Sequence, residues 1–311
     1  MLSRVADSLY WMSRYMERSD GILRMLRVNY TYSQDDGTDF SWTPVLKIFT
    51  SNFEEQVENK EPKGRDILNY LVLEKTNPNS VLNIISGARE NARSVQDNVT
   101  KELWQCLNDF YHMIREDQLK HTLELDDPIS VLDNLVKQVM YYYGSAEITM
   151  PRGEGYYFMN LGKFLERAIQ SVNALDVKFR DLEYCLDENT DPTYWKYLLM
   201  SISGYEIFLK SYRSALNPKN IIHQIVWNDS FPRSIQYSVA RLKQSFETIK
   251  TDKDKESYKT VSYMIGKLEC TLKYSDMKDL ETMGLQKYLQ KVKDELLAIG
   301  NALNHYYFAF N

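Results

Sequence analysis

Two glutamate-arginine doublets carry the charge chemistry that this sequence places inside apolar helical patterns. Glu17-Arg18 lies in MSRYMERSD at residues 12–20, and Glu166-Arg167 lies in LGKFLERAI at residues 161–169. Arg14 and Lys163 stand three residues before the glutamates and four before the arginines, so on a helix each copy gathers mixed charge along one side. Arginine grips a carboxylate or phosphate through paired N–H donors, and a neighbouring glutamate can orient it or accept a ligand amine. A glutamate in such a cleft can also serve as general acid or base in acyl or peptidyl transfer. The same residues fit a structural role: Glu17 pairs with Arg167 and Glu166 with Arg18 where two long helices cross, fixing their register. Adjacent residues on a helix point about 100 degrees apart. One doublet therefore cannot face one ligand squarely, which favours the structural role.

A second candidate is Arg89-Glu90-Asn91-Ala92-Arg93. Arg89 and Arg93 are one helical turn apart and share a face, with Glu90 and Asn91 displaced from it. The plain alternative is a solvated helix end with ion pairs along its own surface. Tyrosine clusters such as Tyr141-Tyr142-Tyr143, Tyr156-Tyr157 and Tyr306-Tyr307 serve either as packing between helices or as a protein interface. Other chemistries lack their residues. There is no GxxxxGK[ST], GxGxxG or GxSxG, so nucleotide cradles and nucleophile elbows are missing. A di-iron bundle needs two Glu-x-x-His pairs, and Asp109 before His112 is the nearest approach in a chain with four histidines. No metal and no cofactor are expected, and no residue is named as catalytic.

The formal charge of -5 and the absence of any lysine- or arginine-rich block argue against nucleic acid. Cys106, Cys185 and Cys270 stand far apart with no CxxC pair, which suits a reducing cytosol. No apolar run approaches the ~18 residues of a spanning helix, and Arg4, Asp7 and Arg14 break up the start. A cytoplasmic protein with no membrane contact is expected.

The elements that must hold these residues read as helices nearly throughout. Val5, Leu9, Met12, Met16, Leu23 and Leu26 recur at helical spacing and predict a first helix of about 25 to 30 residues, ending in the polar loop 33–39. Further helices are expected at 43–58 and 64–75, from within two residues of Pro78, and at 100–123, 128–150 and 156–183. Others are expected from Asp191 to Tyr212, after Pro218, from near Phe231, and at 256–274 and 280–308, with a charged loop at 251–257. No stretch alternates as a strand does.

The second half repeats the plan of the first. Glu17 meets Glu166 at a shift of 149 and Trp42 meets Trp195 at 153. The segment 51–54 meets 203–206 at 152, and NPNSV at 77–81 meets FPRSI at 231–235 at 154. Ordered anchors with nearly constant shifts predict an internal duplication. The expected fold is all-α, with two tandem helical-bundle halves, 1–150 and 151–311, hinged near PRGEG at 151–155 and packed as one unit. A pseudo-twofold relation brings the two long Glu-Arg helices together.

LSRVADSLYWMSRYMERSDGILRML, NPNSVLNIISGARENARSVQ, LGKFLERA and FPRSIQYSV together resemble the bacterial alpha-E family, helical proteins named for a Glu-Arg motif. The chain departs at Ser19-Asp20, where Ala-Glu is usual, and at Lys163, where arginine is common. Genes of that family tend to lie beside ATP-grasp ligases and transglutaminase-like peptidases. The resemblance therefore implies a non-catalytic partner, or a presenter of an anionic peptide or small ligand, in a system forming peptide or amide bonds. An enzyme with a Glu-Arg-lined cleft is the alternative. Only Glu17, Arg18, Glu166 and Arg167 match the named motif.

Overall fold

Capping side chains set many of the helix starts. Ser80, Thr100 and Ser234 accept the backbone N–H three residues on, and Asp127, Asp191 and Asn217 do the same work before Pro128, Pro192 and Pro218. Asp276 and Asp279 form a reciprocal capping box. The computed structural model describes residues 1–34, 41–49, 63–186, 191–213, 216–249 and 255–308. The anchor at 51–54, much of the expected 33–39 and 251–257 loops, and the end of the expected 43–58 helix lie outside these described residues.

In chain order the helices are α1 (Ser3–Ser33), α2 (Thr43–Phe49), α3 (Gly64–Val72), α4 (Val81–Ser94), α5 (Lys101–Met113), α6 (Asp117–Leu125) and α7 (Pro128–Thr149). They continue as α8 (Glu154–Arg180), α9 (Pro192–Ser201), α10 (Tyr205–Ser211), α11 (Pro218–Val226), α12 (Ile235–Thr248), α13 (Glu256–Tyr274), α14 (Met277–Met283) and α15 (Leu285–Leu303). No strand occurs among the described residues, so the fold is all-α. Nor is any helix among them long and apolar enough to cross a membrane.

Four expectations about boundaries need correction. The 100–123 helix is two helices, α5 and α6, separated at Ile114–Glu116. The helix expected from Asp191 to Tyr212 breaks at Ser203, whose φ of 56 turns the chain left-handed, and the Gly204 N–H closes back on the Leu199 carbonyl at 2.7 Å. The 280–308 helix breaks at Gly284, with φ of 87, leaving α14 before it and α15 after it. Pro78 does not open α4. Asn77 instead accepts the Asn79 N–H to make a turn, and Ser80 caps the helix that starts at Val81.

The chain forms two compact units, Met1–Arg14 with Arg152–Asn311, and Tyr15–Pro151. The division falls within α1, so the first fourteen residues, assigned by sequence to the 1–150 half, pack with the later segment. In that unit α8 packs on α12 and α15, and α13 packs on α12 and α15. Leu161, Leu165, Ala168, Val172 and Leu175 on α8 are fully buried at spacings of three and four, which is the stripe a helix offers a core. In the unit Tyr15–Pro151, α5 packs on α4 and α7, and α6 packs on α3 and α7.

Candidate functional site

In the first of these units, the approach of α1 to α8 is set by one glycine. A Cβ at Gly162 would lie 2.2 Å from the Tyr10 carbonyl oxygen, a distance no side chain can take, so only glycine lets the two backbones meet there. One turn further along each helix, Arg14 and Glu166 come together. The Arg14 Nε and Nη2 atoms both stand 2.8 Å from Glu166 Oε2, with side-chain exposures of 11% and 5%. Arg14 Nη1 also donates to the Tyr10 hydroxyl at 3.3 Å, and its guanidinium lies 4.7 Å from the Trp11 ring. Burial, the largest single influence, would lower the Arg14 pKa, but the charges and hydrogen bonds of Glu166 and Tyr10 together outweigh it and hold the group above its ordinary value. Burial pushes the Tyr10 phenol up. Glu166 is thus met by Arg14, one turn before the Arg18 expected there.

Arg167 points elsewhere, as a neighbour on a helix must. It donates to the Pro232 carbonyl at 3.2 Å, and one turn on Ser171 donates to the Arg233 carbonyl at 2.7 Å. These two bonds hold the turn whose last residue, Ser234, caps α12. The second doublet therefore does two jobs, its glutamate fastening α1 and its arginine fastening the entry to α12. Lys163, the counterpart of Arg14 in the motif, places its ammonium 4.6 Å from the Phe164 ring.

In the unit Tyr15–Pro151, Glu17 is fully buried and accepts a hydrogen bond from the Tyr143 hydroxyl on α7. Arg18, its neighbour, is half-buried. Asp20, also fully buried, pairs with Arg24 at 2.8 Å on the same helix. The second candidate lies in this unit too. Arg89 donates from Nε to the Asn108 side chain at 3.0 Å and from Nη1 to Glu90 at 3.1 Å, and its guanidinium lies 4.5 Å from Tyr111 and 5.4 Å from Trp104. Arg93 reaches the other oxygen of Glu90 at 3.4 Å. Glu90, read from sequence as displaced from that face, in fact bridges both arginines. Asn91 is half-buried, and its carbonyl accepts from Ser94 at 2.8 Å. Trp104, Asn108 and Tyr111, spaced by four and three on α5, carried a signal for this face that charge patterns alone did not expose.

A family model described as a predicted alpha-helical domain with a conserved ER motif matches residues 1–308. The chain belongs to this alpha-E family. Neither a curated protein nor a solved structure matches it. In this alpha-E chain the ER motif of α8 is an internal fastening: the glutamate closes an ion pair with α1 and the arginine closes on a backbone carbonyl. Among the described residues, no group of three or more His, Cys, Asp or Glu is placed to hold a metal ion.

Proposed function

We propose that this alpha-E chain is a non-catalytic helical partner in a bacterial system that forms or trims peptide or amide bonds. In this reading it works in the cytoplasm, presenting an anionic peptide to an ATP-grasp ligase, with a transglutaminase-like peptidase acting on the same product. The observation that carries the non-catalytic part is the occupation of the motif: Glu166 is closed by Arg14, Glu17 accepts from Tyr143, and Arg167 holds Pro232. A general acid or base must reach a substrate proton, and these glutamates are buried against their own fold. The named partners rest on the company that the family keeps.

The test uses the purified chain with a purified ATP-grasp protein from the same cell. A stable complex on size exclusion, kept by the Glu166→Gln variant, is expected. Two separate monomers, or acyl transfer by the chain alone that vanishes in Glu17→Gln or Glu166→Gln, would overturn the reading in favour of an enzyme.

We further infer an internal duplication, with halves near 1–150 and 151–311. Helix lengths in order support it: α3 and α11 have 9 residues each and start at Gly64 and Pro218, while α4 and α12 have 14 each and start at Val81 and Ile235. Both pairs of starts differ by 154. The turn bonds match as well. Leu73 and Glu74 N–H close on the Asn69 carbonyl at 2.8 and 3.0 Å, and Trp227 and Asn228 close on that of His223 at 2.9 and 3.0 Å, again 154 residues on. A single-chain split that left each half folded and able to bind the other would extend this reading. Halves that stay unfolded alone and together would count against it.

A further inference from the structure

The unit Tyr15–Pro151 contains a cleft of about 390 Å³ bounded by the end of α3, the turn after it, α4 and the junction of α5 with α6. Its floor is apolar, made by Leu73, Leu82 and Ile114, of which the last two are buried. Its rim carries both signs of charge. Lys75, Arg115 and Lys120 bring three cations, all on exposed residues. Glu74 also lines the cleft, but its Oε1 accepts from the Thr76 N–H and hydroxyl, each at 3.0 Å, and these bonds hold its pKa below the ordinary value. Glu116 and Asp117 are the remaining acids of the rim. Arg115 lies 4.9 Å from the Tyr111 ring, the ring that Arg89 meets at 4.5 Å, so the cation–π contact steadies its guanidinium beside the cleft.

We propose that this cleft binds a short acidic peptide with a free amino end. Arg115, with Lys75 and Lys120, takes the carboxylates, since a guanidinium offers them paired donors in a fixed plane. Glu116 and Asp117 take the ammonium, and the floor covers the aliphatic stems. The two acids turn away a simple dianion such as phosphate, because each carboxylate repels it. Small-ligand sites span roughly 300–1,000 Å³, and this cleft stands at the low end, which suits two or three residues rather than a folded partner. The second half lacks the set: at shifts of 154 and 155, Lys75 corresponds to Asp229, Arg115 to Cys270 and Tyr111 to Gly266. That contrast rests on the duplication, whereas the cleft does not.

This deepens the presenting role by naming what is held and where, and its test needs no partner protein. The full chain is titrated calorimetrically with a glutamyl-glutamate dipeptide, its N-acetyl form, its C-terminal amide, a lysyl-lysine dipeptide and inorganic phosphate. Saturable one-site binding of the free acidic dipeptide is expected, with each blocked form weaker by about tenfold, the loss of one charged contact, and no binding of the other two. Arg115→Ala and Lys120→Glu should each weaken binding by a similar factor at an unchanged melting temperature. Absence of saturable binding, equal affinity for the blocked forms, or phosphate binding as tightly as the dipeptide would overturn the proposal. The ligand series is run on the unaltered chain, so it decides even where a variant folds poorly. Dipeptide binding without a ligase complex would sink the partner role and keep the cleft, and the reverse result would do the opposite.

Discussion

Segments 64–94 and 218–248 are built alike and dressed differently. Each has a 9-residue helix, a turn closed by two N–H groups on one carbonyl, and a serine-capped 14-residue helix. On the first, Arg89 lies over Tyr111 and Trp104 and binds Asn108 and Glu90. On the second, Lys243, 154 residues after Arg89, makes a 3.3 Å ion pair with Glu269. Removing a capping bond costs about 1 kcal/mol, whereas a solvent-facing rim can change at little cost. The difference teaches where to look for specificity: on the rim that one segment has and the other lacks, not in the frame that both segments keep.

Several substitutions break or sharpen this contrast between frame and rim. The largest effect is expected at the buried ion pair. Arg14→Ala removes the guanidinium that closes on the buried Glu166 carboxylate, and should cost about 3–5 kcal/mol in urea unfolding. Gly162→Ala comes next, since the new methyl meets the Tyr10 carbonyl, and overpacking of this kind costs about 1–3 kcal/mol. Ser80→Ala and Ser234→Ala should each cost about 1 kcal/mol, the loss of a helix cap. Nearly equal values would sharpen the view that the frame is the same, and widely unequal ones would break it. The smallest change is expected for Arg93→Ala, whose side chain is 64% exposed: within about 0.5 kcal/mol.

Acid–base behaviour offers another comparison, between positions 149 residues apart on the two long helices. At the shift of 149 that relates the doublets, the neutral Asn29 corresponds to Lys178. Asn29 donates to the Met25 carbonyl at 2.7 Å, while burial pushes the Lys178 ammonium down to about 8 from 10.5. The unfolded chain then binds more protons between these values, so stability should rise as pH increases from 8 to 10.5 and fall again on return through 8. Lys178→Met should flatten this slope in pH-dependent denaturation. An unchanged slope would mean that Lys178 keeps an ordinary pKa.

Much of the fold was legible because its signals are local. Asp127-Pro128, Asp191-Pro192 and Asn217-Pro218 each announce a helix start within the few residues that form it. The α5–α6 break was not legible, since no glycine or proline marks residues 114–116. There α6 packs on α3 and α7, and Arg65 donates to the Glu124 carbonyl at 2.6 Å, contacts that local sequence does not encode. Glu17 and Glu166 could be singled out from their repetition, yet their partners could not. Tyr143 is distant in sequence, and Arg14 meets Glu166 only because Gly162 allows α1 and α8 to approach. The cleft at Arg115 was missed for the same reason: its charges lie in two stretches, 74–75 and 115–120, that meet only in the fold.

The claim that the ER motif holds the fold is tested most directly by a double-mutant cycle on Arg14 and Glu166, read by urea unfolding. The expected result is that Arg14→Ala and Glu166→Ala each destabilise strongly while the double variant loses clearly less than their sum, with dipeptide affinity unchanged throughout. Additive and small losses, accompanied by loss of ligand or ligase binding, would contradict it.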